Sequence, residues 1–410
     1  MKSFKIEARA CDKVRNYFPW VFANEIQGSL KNLDIGEVVT LVDHKSQFVA
    51  YAYGNPHSLI CMRILSGIEN EVIDDTFILN KLIKASHWRI KMGLNKKSHR
   101  LCFGEVDGLP GLIVDLYLLE NQKWDLVFQI GTQGIEKLLS SPTRIFQELA
   151  TALQFDLNSI IERRDSRGRK LENLEINEEA LIHFGNKNEV SSGVLLRSSN
   201  RALNCSRELG QKTGLFLDQQ DNLIRFKDIL KAYSHCENLK MLDLFCYVGQ
   251  WTQAAQDILT HESVEFHLSD SSKEALKLAQ GNAILSKKTF IHQKDLLKDI
   301  GDFPPNEFDV IICDPPALIQ SKKDINAGKR AYLKLNTASI KALKSGGLLV
   351  SCSCSQHLSE EDLLEILTEA ARKNSRQLRI ISPGQQSQDH PRLIHFPQSY
   401  YLKAFFVEVI

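Results

Sequence analysis

The C-terminal half of the chain alternates short apolar runs with longer segments whose apolar residues recur at helical spacing. Short apolar runs are typical of buried strands, and the segments between them are long enough for crossover helices. The sequence therefore predicts a mostly parallel α/β sheet of the Rossmann-like type. The predicted strands are residues 240–245, 264–268, 308–313, 347–352 and 401–410, and the predicted helices are 251–259, 272–285, 332–343 and 360–373.

The N-terminal half has a different pattern. Residues 1 to about 70 contain β-rich runs separated by turn-forming residues, at 36–42, 47–53 and 59–65. Residues 71–190 mix the two patterns, with helical spacing at 74–92 and 135–153 and a strand at 112–114. We therefore predict a small β-rich domain (1–70), an α+β middle domain (71–190) and an α/β domain (191–410).

Composition and charge narrow the class of protein. Hydrophobic residues make up 43% of the chain, which is enough for a packed core, and no apolar run approaches the roughly 20 residues of a membrane span. The N-terminus lacks the apolar stretch of a secretory signal, and the nine scattered cysteines suggest a reducing compartment. We expect a cytoplasmic protein. Because the formal net charge is only +1, any nucleic-acid site must be a local patch. The basic run Glu162–Lys170 is interpreted as a solvated loop.

Ligands of parallel sheets bind beyond the carboxyl ends of the strands, so the residues that follow each strand are the candidates. The first strand leads into the segment Asp243–Gly249, whose glycine allows close backbone approach to a ligand. Asp270 follows the second strand, where a carboxylate can accept hydrogen bonds from ribose hydroxyls. Capping of the helix near Ser272 is an equally good explanation for Asp270.

The next two strands end in further polar residues. Asp314 precedes two prolines, which force the chain to turn out of the sheet, and it is a natural contact for an amino group or a protonated ring nitrogen. Cys352 and Cys354 follow the last parallel strand and point the same way on an extended segment. They could be buried packing residues, ligands of a metal together with Cys313 and His357, or a nucleophilic thiolate beside Asp314.

Together, these residues resemble the class I S-adenosylmethionine-dependent methyltransferases, and more narrowly the bacterial 23S rRNA cytosine-C5 methyltransferases that carry an N-terminal PUA domain. The resemblance covers nearly the whole chain. The matching segments are Pro19–Phe22, Asn55–Pro56 with Ser58 and Arg63, Glu105–Asp115, Glu162–Arg163, Gly210–Gln219, Asp243–Gly249, Asp270, Asp295, Asp314–Pro316 through Ser355, and Tyr401–Lys403.

The resemblance implies a cofactor, a substrate and a nucleophile. The cofactor is S-adenosyl-L-methionine, and no metal is implied. The implied substrate is ribosomal RNA, which the PUA-like domain would bind. A homodimer is compatible with the family. Cys354, flanked by Ser353 and Ser355, aligns with the family's nucleophile, and Asp314 would stabilise the protonated cytosine ring. The implied cofactor-binding residues are Asp243, Phe245, Cys246, Gly249, Asp270, Ser271, Asp295 and Asp314.

Four positions depart from the family pattern. Gln250 replaces a second glycine, Gln220 and Leu223 replace arginines, and Gln398 replaces a glutamate. The missing arginines suggest a weaker RNA grip or a different RNA. Two alternatives therefore stay open: methylation of a nitrogen on an RNA base, which leaves Cys354 without a task, and an RNA-binding factor whose catalytic domain is inactive. The sequence does not identify the base that removes the C5 proton or the target nucleotide.

Overall fold

The structure, a computed structural model, describes residues 1–185, 193–208, 210–283, 288–300 and 303–410. The chain divides into two compact units. The first contains residues 1–195, 205–217 and 389–399, and the second contains residues 196–204, 218–388 and 400–410. The domain boundary predicted at residues 190–191 lies outside the described residues and, like the one at 70, stays a prediction.

The first unit begins with a small mixed sheet. The three β-rich runs predicted within residues 1–70 form consecutive antiparallel strands, which confirms that part of the prediction. The elements are β1 (Ser3–Ile6), α1 (Ala8–Arg15), β2 (Trp20–Val21), β3 (Ile26–Gln27), β4 (Val38–Val42), β5 (Phe48–Gly54) and β6 (Met62–Ser66). In the described part of the chain, the strand order of this sheet is β2-β6-β5-β4-β1-β3.

A second sheet and its helices follow in the same unit. The elements are α2 (Asp75–Lys91), β7 (His99–Phe103), β8 (Leu112–Leu118), β9 (Trp124–Ile130), α3 (Gln133–Leu138), α4 (Pro142–Leu153), β10 (Leu157–Arg164) and β11 (Asn177–Phe184). The strand order of this sheet is β11-β10-β9-β8-β7. The single helix predicted over 135–153 is two helices, because Pro142 is placed where it starts a new helix and cannot continue the previous one.

The basic run Glu162–Lys170 is not a solvated loop, so that interpretation was wrong. Glu162 and Arg163 lie on β10, and both are 2% exposed. The Arg163 guanidinium donates hydrogen bonds to the carbonyls of Arg207 (3.2 Å) and Gly210 (2.6 Å). Buried arginines need such partners, since an unpaired buried charge is costly. Charge alone could not reveal these partners, because they lie about 45 residues away along the chain.

The second unit is built around the predicted α/β sheet. The elements are α5 (Gln220–Leu230), β12 (Lys240–Leu244), α6 (Gln250–Gln256), β13 (Glu265–Asp270), α7 (Lys273–Asn282), β14 (Thr289–Gln293), β15 (Phe308–Cys313), α8 (Ile325–Ala342), β16 (Leu343–Ser353), α9 (Glu360–Lys373), β17 (Leu378–Gln385) and β18 (Lys403–Val409). The strand order is β14-β13-β12-β15-β16-β18-β17. Strands β12 to β16 are parallel, whereas β18 runs antiparallel to both β16 and β17.

The mostly parallel sheet is confirmed, and helices cover both of its faces. The end of the helix predicted over 272–285 lies outside the described residues. Helix α8 begins at Ile325, seven residues before the predicted start, because polar residues occupy its exposed first turns. In the ranges that the structure describes, no helix has the length and apolarity needed to cross a membrane.

Candidate functional site

The predicted site residues of the second unit lie at one edge of its sheet. Asp243 is near the end of β12, Asp270 is the last residue of β13, and Asp314 directly follows β15. Cys354 directly follows β16, the parallel neighbour of β15. Because these four strands are parallel and adjacent, their carboxyl ends form one continuous edge.

The segment after β12 is held in an unusual backbone conformation. Phe245, Tyr247 and Gly249 all have left-handed φ angles, of 60°, 49° and 81°. Bulky residues rarely adopt this conformation, and such strain is typical of ligand-binding turns. A Cβ atom at residue 249 would also approach the Cβ of Ala279 to 3.3 Å, so glycine is needed there. Gln250, in place of the expected glycine, begins α6.

Asp270 fixes this strained segment. Its carboxylate accepts hydrogen bonds from the backbone N–H of Tyr247 (3.0 Å) and of Ser272 (2.9 Å). The N-cap of α7 is Ser272, whose hydroxyl accepts from the Ala275 N–H at 3.1 Å. The suggestion that Asp270 caps the helix was therefore wrong, and its contact with a ribose stays a prediction.

In the described residues, only one of the two carboxylate oxygens of Asp243 has a hydrogen-bond partner. Its Oδ2 accepts a hydrogen bond from the Thr252 hydroxyl (2.7 Å), while Oδ1 has no hydrogen-bond partner in the described part of the chain. The side chain is 1% exposed, and burial raises its pKa to about 7. Buried carboxylate oxygens normally accept a hydrogen bond, so this oxygen is available to a donor group of a ligand. This orphaned oxygen, together with the strained turn and Asp270, fits a bound nucleoside such as that of S-adenosyl-L-methionine.

The remaining predicted cofactor residues differ in exposure. Cys246 is buried, and Phe245 is partly buried against the core. Ser271 is exposed. Asp295 is also exposed and forms a 3.0 Å ion pair with Lys298, whose hydrogen bond lowers the pKa of the carboxylate. The cofactor contacts assigned to these residues stay predictions.

Asp314 is oriented by two donors that the sequence did not reveal. Its Oδ2 accepts from the Gln219 amide (2.9 Å) and from the Trp251 indole N–H (3.1 Å). Gln219 lies just before α5 and Trp251 lies on α6, so both donors are distant from Asp314 along the chain. Two donors on one oxygen hold the carboxylate in a fixed orientation at the edge.

Cys354 lies between two serines that are fixed by hydrogen bonds. The Ser355 hydroxyl accepts from the Ile319 N–H (3.0 Å) and shares a hydrogen bond with the Tyr332 hydroxyl (3.0 Å). The Ser353 hydroxyl donates to the same Tyr332 oxygen at 2.9 Å. Both serines are fully buried, whereas Cys354 is partly exposed. The turn therefore presents the thiol while its neighbours stay fixed.

The two cysteines at this edge differ in their surroundings. Cys352 is 1% exposed, and burial raises its pKa well above the ordinary value, which disfavours a thiolate. Cys354 is the more exposed of the two. In the residues described, no group of three or more His, Cys, Asp or Glu side chains is arranged to hold a metal ion.

Lys403 places a cation beside Cys354. It is the first residue of β18 and pairs with Ser353, and its Nζ donates to the carbonyls of Ser355 (2.6 Å) and Tyr401 (2.8 Å). The side chain is 2% exposed. Burial lowers the pKa of Lys403 to about 8, and the electrostatic interaction with Cys354 acts in the opposite direction. The signal for this residue was a lysine that directly precedes the apolar run Ala404–Val407.

The PUA-like motif residues of the first unit face inward. The Trp20 indole and the Arg63 guanidinium each donate to Glu105 at 2.9 Å, and Arg63 also donates to Glu172 at 3.2 Å. Asn55 donates to Glu172 at 2.8 Å. These side chains join residues 1–70 to the middle domain.

Three of the four departures, Gln250, Gln220 and Leu223, occupy buried positions. Gln220 is fully buried and accepts a hydrogen bond from the Ser198 N–H (3.0 Å), and Leu223 packs in the core of the second unit. A side chain at either position faces the interior. The suggestion that the missing arginines mean a weaker RNA grip or a different RNA stays a prediction.

Comparisons with known proteins agree with this geometry. Residues 4–67 match the model of a PUA-like domain, and residues 235–396 match that of a methyltransferase domain. The ribosomal RNA large subunit methyltransferase I of Shigella dysenteriae serotype 1 is 30% identical over 96% of this chain and 95% of its own length. An Escherichia coli relative of the same name is 29% identical with the same coverage. A solved SAM-dependent methyltransferase from Streptococcus mutans shares the fold over the full length of both chains, with a TM-score of 0.77 at 16% identity.

The fold and the site define a class I SAM-dependent methyltransferase with an N-terminal PUA-like domain. Within that class, the chain belongs to the ribosomal RNA large subunit methyltransferase I family. The predicted fold class and the predicted cofactor, S-adenosyl-L-methionine, are confirmed.

Proposed function

We propose that this protein transfers a methyl group from S-adenosyl-L-methionine to C5 of a cytosine in 23S rRNA, through a covalent adduct between Cys354 and C6 of the base. The substrate class comes from the relatives, which are named as methyltransferases of large-subunit ribosomal RNA. A cytoplasmic location follows from such a substrate, and the free cysteines are compatible with it. A homodimer stays a prediction.

The observation that carries the proposal is the setting of Cys354. Its thiol is partly exposed between two fixed serines, next to the buried Lys403 ammonium and on the same sheet edge as Asp314. A neighbouring cation favours the thiolate, which is the nucleophilic form of cysteine. Methylation of a base nitrogen needs no thiol and would leave this arrangement without a role.

Each side chain has a task that its position supports. Cys354 adds its sulfur to C6, which makes C5 electron-rich enough to accept a methyl group. Asp314, oriented by Gln219 and Trp251, hydrogen-bonds the protonated N3 of the adduct. Bound S-adenosyl-L-methionine supplies the methyl group. After loss of the C5 proton, Cys354 leaves C6 as a thiolate, and Lys403 stabilises that charge.

Labelled methyl transfer to large-subunit rRNA, followed by nucleoside analysis, tests the proposal. Label in 5-methylcytidine is the expected result. Label in a nitrogen-methylated base, or none with folded protein that binds the cofactor, would contradict it and favour one of the two alternatives. RNA that contains 5-fluorocytosine should trap the adduct, because fluorine cannot leave as the C5 proton does, and peptide mapping should place the crosslink at Cys354.

A further inference from the structure

The segment that follows Asp314 carries a cluster of exposed cations close to the catalytic edge. Lys322 and Lys323 are exposed, as is Arg330 on helix α8. Within the described residues, no salt bridge is formed by these three side chains. The acidic groups nearby are engaged elsewhere, since Asp324 accepts hydrogen bonds from Ser321 (Oγ at 2.7 Å) and Asp362 pairs with Lys329.

This cluster is rigidly connected to the turn that holds Cys354. The Ile319 N–H bonds Ser355, and Gly328 of α8 packs so closely on the preceding loop that a Cβ atom there would lie 2.2 Å from the Ile319 side chain. Tyr332, also on α8, bonds both Ser353 and Ser355. The helix therefore has one face on the nucleophile's turn.

Arg330 lies on the opposite, exposed face of α8, and Lys322 and Lys323 lie in the exposed turn that directly precedes the helix. Asn326, Ala327 and Arg330 are exposed at spacings of three and four residues, which places them on one face, and Gly328 and Tyr332 are buried on the other. A helix is about 10 Å thick with its side chains, so the exposed face is about one or two nucleotide lengths from the turn. Phosphates at that distance would flank the target base rather than belong to it.

We propose that Lys322, Lys323 and Arg330 form a phosphate-binding surface, here called the α8 ledge, which holds the RNA strand beside the target cytosine. The inference rests on the proposed RNA substrate. With a formal net charge of +1 over the whole chain, the protein needs a local cationic patch to hold a polyanion. The ledge supplies one in the same unit as Cys354.

Charge reversal provides the test. The variant Lys322→Glu/Lys323→Glu and the variant Arg330→Glu should each weaken binding of a large-subunit rRNA fragment by at least tenfold. The slope of log affinity against log salt should fall by roughly 0.7 for each lost phosphate contact on single-stranded RNA. Calorimetric affinity for S-adenosyl-L-methionine should be unchanged, because the ledge lies apart from the cofactor turn.

Lys341→Glu is the matched control. Lys341 is exposed on the same helix, and eleven residues from Arg330 it shares the same face about 16 Å further along. Its reversal should change RNA affinity less than threefold. Equal losses in Lys341→Glu and Arg330→Glu, or unchanged affinity in the ledge variants, would overturn the ledge. Failure of the wild-type protein to methylate or bind rRNA would instead overturn the proposed function.

Discussion

The Lys403 ammonium donates a 2.6 Å hydrogen bond to the carbonyl of Ser355, although the backbone partner of Lys403 in the sheet is Ser353. The side chain therefore extends past Cys354, which lies between those two serines. Its charge is buried, and its Nζ donates hydrogen bonds to the neutral carbonyls of Ser355 and Tyr401. An ammonium in that position gains stability when the neighbouring thiol ionises.

Replacing Lys403 by methionine should raise the pKa of the Cys354 thiol, because the stabilising cation is lost while the aliphatic volume is kept. Alkylation of Cys354 by iodoacetamide, followed by peptide mapping, should then need a higher pH than in the wild type. Methyl transfer near neutral pH should fall by at least tenfold. In the wild type, activity should also decline as the pH rises through about 8, where Lys403 loses its proton.

Lys403→Arg separates charge from packing. It keeps the cation and should restore part of the activity and the low-pH alkylation that Lys403→Met loses. An alkylation profile of Lys403→Met that matches the wild type would show that the lysine has only a structural role. Mapping is needed because Cys236 is exposed and will also react.

Cys354→Ala should abolish methyl transfer while leaving folding and cofactor affinity intact, because the lost atom is a single partly exposed sulfur. Cys352→Ala should keep most of the activity and lose about 1 kcal/mol of stability from its buried position. The measurements are methyl transfer, calorimetric cofactor titration and thermal unfolding of both variants. Full activity in Cys354→Ala would refute covalent catalysis by this residue.

The sequence predicted most of the catalytic sheet because short apolar strands and amphipathic helices have local signatures. It located the strand ends at Asp243, Asp270, Asp314 and Cys354 for the same reason. Tyr401–Lys403 is one of the matching segments, but the sequence assigned no role to Lys403, because that role depends on antiparallel pairing with β16, which no local pattern encodes. The buried Arg163 was misjudged because two of its hydrogen-bond acceptors, the carbonyls of Arg207 and Gly210, come from a distant chain segment.

Asp270→Ala should weaken S-adenosyl-L-methionine binding by at least tenfold. The change removes both the predicted contact with the ribose and the two backbone hydrogen bonds that hold Tyr247 and Ser272. Calorimetric titration measures the effect. Ser272→Ala is the control: it removes the N-cap of α7, and should cost about 1 kcal/mol of stability without a comparable loss of cofactor affinity. Equal affinities for Asp270→Ala and the wild type would contradict the assignment.

Arg63→Ala should destabilise the first unit by about 3–5 kcal/mol, because it leaves the largely buried carboxylates of Glu105 and Glu172 without their cation. Chemical unfolding measures the loss. Arg15→Ala breaks a more exposed pair with Asp43 and should cost about 1 kcal/mol or less. A loss of RNA binding by Arg63→Ala without any loss of stability would show that Arg63 contacts RNA instead.

Asp243→Asn should make the cofactor-free protein less sensitive to rising pH. Burial raises the pKa of Asp243 to about 7 in the folded state, well above the ordinary value of 3.8, so the folded protein holds this proton more tightly than the unfolded chain. The stabilising contribution is complete below about pH 4 and is lost as the pH rises through 7. Between pH 5 and pH 8, the wild type should therefore lose on the order of 1–3 kcal/mol more stability than Asp243→Asn.

Urea unfolding at both pH values, without cofactor, measures this difference. Thr252→Val removes the hydroxyl that donates to Asp243 Oδ2. That hydrogen bond favours the ionised carboxylate, so its loss should raise the pKa of Asp243 further and make the stability of the variant fall more steeply with pH than that of the wild type. If Asp243→Asn and the wild type lose equal stability over this range, the carboxylate is already ionised at pH 5, and its spare oxygen is then satisfied by water rather than kept for a cofactor donor.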